Sequence, residues 1–313
     1  MLRLPIIHSL WWFVMTFEIN YLERLQSEFA LKSGLIFSDT YIPGIRLFYA
    51  KESVALNLML YPAGIAILCQ GEKRGIFGDR TFTYNHDNFL IVSVSTPINC
   101  QTIAEANKPV FGLFIDAEIS SIQSIAREME SSFLNRDAHS LGVEPVKMKA
   151  EMKEVVTRLV KIMPNQLESR ILGEGIKKEI LFRALESEHG HALYSLIQEN
   201  SSQSRISKVI DYIKRNYREK MTVESLASLA SMSSTSFHRG FKLLTGESPL
   251  QYVKKTRLSR ARSLIVHNGV KANVAAFEVG YESASHFTRE FKRYYKVTPT
   301  KAKDSAYAEI DIW

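Results

Sequence analysis

Cysteine is scarce in this chain of 313 residues, which has only Cys69 and Cys100. Two distant thiols could neither staple a small secreted domain nor supply a zinc site, so a reduced cytoplasmic compartment is expected. Long hydrophobic runs are also missing. No stretch approaches the roughly 18 apolar residues of a membrane span, and His8 with Ser9 interrupts even the opening run. Histidine is thin where a metal site on strands would need it: His86 stands alone between residues 40 and 116, in the turn-like Tyr84-Asn85-His86-Asp87-Asn88. One histidine without a local partner argues against a metal enzyme there, and no cofactor or bound metal is expected. Core material is not lacking. With 45% apolar and 23% charged residues, the sequence excludes a largely disordered chain, and its length suits two domains.

Net charge is +7, but it is unevenly placed. Residues 205–303 hold twenty Lys/Arg against seven Asp/Glu, whereas residues 1–204 hold twenty against twenty-three. A basic third attached to a mildly acidic remainder points to a polyanion-binding module joined to something else. At the start, MLRLPIIHSLWWFV (1–14) loosely imitates a signal peptide but is followed by no small-x-small cleavage site. The soluble pattern opens at Met15, so residues 1–14 read as a non-native extension and Met15 as the natural initiator.

From about Thr40 to Asp116, short apolar runs alternate with turn residues: IRLFYA, VALNLMLY, GIAILCQG, TFTY, NFLIVSV and VFGLFID. Strands at this spacing predict a small barrel or sandwich, with Leu56, Leu58 and Leu60 alternating onto a buried face. After Asp116 the period becomes helical, with Ile119, Ile122, Ile125 and Ala126 on one face, then helices over 148–163 and 174–188. Their wide apolar faces leave room for a second chain. The polar stretch 198–204, QENSSQS, reads as a linker, and everything from Arg205 onward is helical.

Within that last part an internal repeat appears. LASLASMSSTSFHRGFKLLTGESP (226–249) aligns with AAFEVGYESASHFTREFKRYYKVTP (275–299), which has one extra residue in its turn. Phe237, Arg239, Phe241, Lys242 and Pro249 correspond to Phe287, Arg289, Phe291, Lys292 and Pro299. Phenylalanines four apart share a helix face and belong to a core, not to a base-stacking surface. Each copy therefore reads as a helix-turn-helix, with its second helix exposing polar residues that suit the major groove. Thr235, His238 and Arg239 in the first copy, and Ala284, Ser285, His286 and Arg289 in the second, are the candidate base contacts. Lys242, Thr288 and Lys292 are the candidate phosphate contacts. The cations Lys254, Lys255, Arg257, Arg260 and Arg262 read instead as a solvated face.

SMSSTSFHRGFKLLTGESPLQYVKKTRLSRARSLI and VGYESASHFTREFKRYYKVTP together resemble the DNA-binding domain of AraC/XylS-type transcriptional regulators. That resemblance implies two helix-turn-helix units joined by a long helix, here 250–266. The front of the chain is similar, more weakly, to the cupin-like N-terminal domain of one AraC subgroup, through LYPAGIAILCQGEKRGIFGDRTFTY and FLIVSVSTPINC. The expected fold is α+β: a small cupin-like β-barrel, a helical dimerisation region, and an all-α domain with two helix-turn-helix motifs. The implied boundaries are an effector-sensing and dimerisation domain at 15–198, a linker at 199–204, the DNA-binding domain at 205–303 and a tail at 304–313.

By the same resemblance the partners would be double-stranded promoter or operator DNA, a small-molecule effector whose binding residues the sequence leaves open, a second copy of the chain, and RNA polymerase. The protein is expected not to be an enzyme; the alternative, a cupin-type enzyme with an accessory DNA-binding module, lacks a converging set of catalytic groups in residues 40–116. Cys69 and Cys100 read as buried apolar residues, with a thiol sensor as the sharper alternative.

Overall fold

A computed structural model describes residues 19–33, 37–105, 108–129, 141–198, 201–266 and 268–302. The expected N-terminal extension with Met15 and the tail 304–313 lie outside the described residues.

After helix α1 (Ile19–Glu28), ten strands among the described residues form two antiparallel sheets. The larger sheet runs in the order β1 (Ser38–Asp39), β2 (Ile45–Ala50), β9 (Val110–Asp116), β4 (Gly64–Gln70), β7 (Asn88–Val92), β10 (Val143–Lys147). The smaller runs β3 (Val54–Tyr61), β8 (Thr96–Ile103), β5 (Glu72–Phe77), β6 (Arg80–Tyr84). Alternate side chains of both sheets meet between them: Phe48, Leu68, Leu90 and Phe114 from the larger, Met59, Tyr61, Tyr84, Ile98 and Cys100 from the smaller. The other face of the larger sheet, with Leu47, Ile65, Ile67, Ile91, Leu113 and Ile115, packs against helices. Burial on both faces explains why runs such as NFLIV are continuously apolar rather than alternating.

Two expectations fail locally. Leu58 and Leu60 are buried, but Leu56 is 54% exposed, because the β3–β8 register shifts between Val54 and Asn57 and turns Leu56 outward. Ile119 is likewise 54% exposed at the first turn of α2 (Ile119–Glu128), ahead of the point where Ile122 and Ile125 reach the core.

The covering helices are α2, α3 (Ala150–Ile162), α4 (Gln166–Glu186) and α5 (His191–Tyr194). Helix α4 begins eight residues before the expected 174, because Asn165 caps it by accepting from the backbone N–H groups of Leu167 and Glu168. Ser201 likewise caps α6 (Ser202–Asn216), so 202–204 of the expected linker are already helical. Residues 199 and 200 lie outside the described residues.

Beyond α6 come α7 (Val223–Leu229), α8 (Ser234–Thr245), α9 (Pro249–Val266), α10 (Ala272–Glu278), α11 (Ala284–Tyr295) and a 3-10 turn at Pro299–Lys301. They form two cores in succession. The first gathers Ile206, Ile210, Leu226, Phe237, Phe241 and Tyr252, and takes in Val94 from the sheet region. The second gathers Leu258, Ala261, Ala276, Phe287 and Phe291.

Candidate nucleic-acid interface

Both repeat units are built from the same local devices. The second helix of each starts on a serine cap: Ser233 accepts from Ser236 N–H, and Ser283 accepts from His286 N–H. The turn between the helices needs one left-handed residue, Ser231 at φ 51° in the first unit and Gly280 at φ 87° in the second. The second unit's extra residue, Glu282, falls in this turn. Each second helix then ends on a left-handed residue, Gly246 and Lys296. Sequence reasoning missed these caps, although Ser233 and Ser283 stand at matching steps of the repeat.

Phe237 and Phe241, with ring centroids 5.3 Å apart, and Phe287 and Phe291, 5.4 Å apart, are fully buried. Burying those faces turns the intervening positions outward. Thr235, His238, Arg239 and Lys242 are exposed on α8, and Ser285, His286, Thr288, Arg289 and Lys292 on α11. Ala284 is only half-exposed, because it packs against the second core. The Thr288 hydroxyl donates to the Ala284 carbonyl of its own helix at 2.9 Å.

The basic run on α9 departs from its expected solvated role. Lys254 pairs with Glu290 at 2.8 Å, Lys255 pairs with Glu247, and Arg262 is buried with its guanidinium 5.2 Å from the Tyr295 ring centroid. Arg257 donates to three backbone carbonyls, those of Tyr217 (2.7 Å), Glu219 (2.8 Å) and Gly280 (3.2 Å). These cations tie α9 to both units and hold the two outward faces in a fixed relation. Acids reachable only through the fold had made them look unpaired in the sequence.

The first unit is also fastened to the sheets. Thr96 donates its hydroxyl to the Thr245 carbonyl and Tyr252 donates to the Ser95 carbonyl, each at 2.8 Å and in buried surroundings. The β5–β6 turn lies against the C-terminal end of α8. A Cβ on Gly246 would stand 2.8 Å from the Gly78 nitrogen and 3.1 Å from the Phe77 ring. Beside that contact opens a cleft of about 1090 Å³, with Asp79 and Arg80 on the sheet side and His238, Arg239 and Lys242 on the helix side. Three of the four exposed α8 candidates thus face the sheet domain across a gap.

The remaining sequence candidates are also placed. His86 is in the β6–β7 turn, 3.4 Å from the Asp87 carboxylate. Cys69 and Cys100 are free and buried, and burial pushes both thiols up. Among the described residues no helix is long and apolar enough to cross a membrane, and no group of three or more His, Cys, Asp or Glu could hold a metal ion.

Comparison with known proteins bears on both halves. The family model for the AraC-type transcriptional regulator N-terminus matches residues 41–192, and a helix-turn-helix domain model matches 226–305. The HTH-type transcriptional activator RhaS of Escherichia coli O1:K1 is 29% identical over 146 residues, 46% of this chain and 51% of that one. The chain therefore spans about half the length of this relative. An HTH-type transcriptional regulator of Haemophilus influenzae is 34% identical over 101 residues, 32% of this chain and 34% of that one. ToxT of Vibrio cholerae, in its unsaturated fatty acid-bound structure, shares the fold with a TM-score of 0.58 at 12% identity, over 82% of this chain and 93% of that one. With its two-sheet domain followed by paired helix-turn-helix units, the chain joins an N-terminal domain of the AraC-type transcriptional regulator family at 41–192 to a helix-turn-helix domain at 226–305.

Proposed function

We propose that this protein is a cytoplasmic, sequence-specific DNA-binding regulator that reads promoter or operator DNA with α8 and α11 and answers to a small-molecule effector held between its two sheets. The observation that carries the reading is the repetition of one chemical arrangement on two exposed helix faces. In each, an arginine stands two residues after a buried phenylalanine and a lysine three residues further on. Arg239 and Arg289 would bind bases, with Thr235, His238, Ser285, His286 and Ala284 beside them, while Lys242, Lys292 and Thr288 would hold phosphates. Two such helices on one module would enter successive major grooves, roughly 34 Å apart. One copy would then cover an asymmetric site of nearly two turns.

The junction supports control. With the β5–β6 turn opposite α8, the first reader shares its space with Asp79 and Arg80, so an effector that changes the fit of the sheets can change how freely that reader meets DNA. A fatty acid bound to ToxT is consistent with a small-molecule effector in this fold. The second copy would meet α4, where Leu167 and Ile171 are 70% and 72% exposed with Leu172 beside them. A promoter-bound dimer would stand within reach of RNA polymerase.

Selection of the full-length protein against random DNA, followed by sequencing, tests the reading. An asymmetric motif with two enriched blocks is expected. Recovery of unenriched sequence would mean a non-specific binder and overturn it.

A further inference from the structure

Lys73 is the second residue of β5 and points inward with Gly75 and Phe77, following the strand's alternation. It is fully buried. Among the described residues no carboxylate lies within ion-pair reach of it; the Tyr61 hydroxyl at 3.3 Å and the Met59 sulfur at 3.8 Å are its polar contacts. The ammonium also sits 4.3 Å from the Phe48 ring centroid. A cation over an aromatic face recovers only part of what an ammonium loses on leaving water, and buried charges are ordinarily paired. Its neighbours supply no negative charge, since burial raises the Tyr61 and Tyr84 phenols and the Cys100 thiol and keeps all three neutral at pH 7.

Two further observations mark the same place. Thr102 is paired with Lys73 across the β5–β8 ladder, is fully buried, and its Oγ1 has no hydrogen-bond partner. Tyr61 and Tyr84 join their hydroxyls at 2.8 Å on the flanking strands β3 and β6. One cation, an unsatisfied hydroxyl and a phenol pair converge among the apolar side chains that the two sheets bury between them. A structural core does better with such a lysine replaced by an apolar residue; a receptor for an anion needs it.

We propose that this interior is the effector site and that it takes a small monocarboxylate with an apolar body, the carboxylate meeting Lys73 and Thr102 and the body lying among the side chains between the sheets. One positive charge among neutral donors suits a monoanion better than a phosphate dianion. The proposal rests on the reading of the two-sheet domain as effector-binding and gives it a ligand class. It also gives a route to DNA. The strand that carries Lys73 ends at Phe77, against the Gly246 turn of α8, and the strand that carries Thr102 begins at Thr96, which holds the Thr245 carbonyl. A ligand that draws β5 and β8 together acts on both fastenings of the first reader.

The test uses full-length protein with acetate, butyrate, hexanoate and benzoate, each against its own amide at equal ionic strength. Thermal unfolding and affinity for the selected DNA site are both measured. At ~10 mM, at least one carboxylate should raise Tm by about 3 °C or more over its amide. Lys73→Met should raise the basal Tm and abolish that difference. Thr102→Val, which keeps the shape and removes the hydroxyl, should reduce it. No carboxylate outperforming its amide, or an undiminished response in Lys73→Met, overturns the site. If the response depends on Lys73 but DNA affinity never changes, the site stands and effector control fails. If a carboxylate shifts DNA affinity equally in wild type and Lys73→Met, control stands and the site fails.

Discussion

Thr96, the first residue of β8, donates its hydroxyl to the carbonyl of Thr245, the last residue of α8, at 2.8 Å. Both residues are fully buried, so the bond is shielded from water and the carbonyl would be left unsatisfied without it. Thr96→Val should cost on the order of 1 kcal/mol in urea unfolding, and Tyr252→Phe, which frees the Ser95 carbonyl, a similar amount. Thr288→Val, whose hydroxyl is exposed on α11, should stay within about 0.5 kcal/mol of wild type. If the two junction variants behave like the exposed one, the sheets and the first unit are not fastened as described.

The two repeat units end their second helices differently, and stability should register it. Gly246 has φ 72° and a Cβ there would also meet the Gly78 backbone, so Gly246→Ala should destabilise by more than about 1 kcal/mol. Lys296 occupies the matching position at φ 62° and carries the cost of a side chain there. Lys296→Gly should therefore stabilise by up to about 1 kcal/mol in the same measurement. Opposite signs are expected; a loss in both would contradict the role given to these turns.

Arginine and lysine on the exposed faces should separate by kind of loss. Arg239→Ala or Arg289→Ala should cost about 1 to 3 kcal/mol of specific binding and relax preference at the affected base. Lys242→Ala should weaken binding to all sequences alike and lower the salt slope by about 1. Titrations on the selected site and on random DNA, across salt concentrations, check both. Equal losses on specific and random DNA for the arginines would refute base reading.

Burial pushes the Lys73 amine down to about 8 from the usual 10.5, with Tyr61, Tyr84 and Cys100 the titratable groups around it. The folded protein thus binds fewer protons at this site than the unfolded chain between those values, and the lysine's stability penalty shrinks as pH rises through that window. Compared with Lys73→Met, wild type should recover about 2 kcal/mol between roughly pH 7.5 and 9.5. A constant difference between the two proteins over that range would mean that Lys73 titrates as an exposed amine.

Much of the reader was legible in the sequence because its signals are local. Phe237 with Phe241 and Phe287 with Phe291 declare a buried stripe four residues apart, and the positions between them must face outward. What was not legible depends on partners brought from far away. The cations of α9 resembled a solvated face because Glu290 lies in a different helix from Lys254. The Thr96–Thr245 bond joins residues 149 positions apart. Lys73 follows Gly71 and Glu72, and its charge argues for exposure, while the alternation Lys73, Gly75, Phe77 argues for the interior; the fold follows the alternation. Leu56 erred the other way, because a bulge interrupts an alternation the letters alone carry straight through.

Two exposed helix faces on one rigid module imply that one copy reads DNA at two places. Hydroxyl-radical footprinting of the full-length protein on its selected site measures this directly. Two protected windows are expected on one face of the duplex, about one helical turn apart, with one window weakened by Arg239→Ala and the other by Arg289→Ala. A single window, or two that both arginine variants weaken equally, would contradict it.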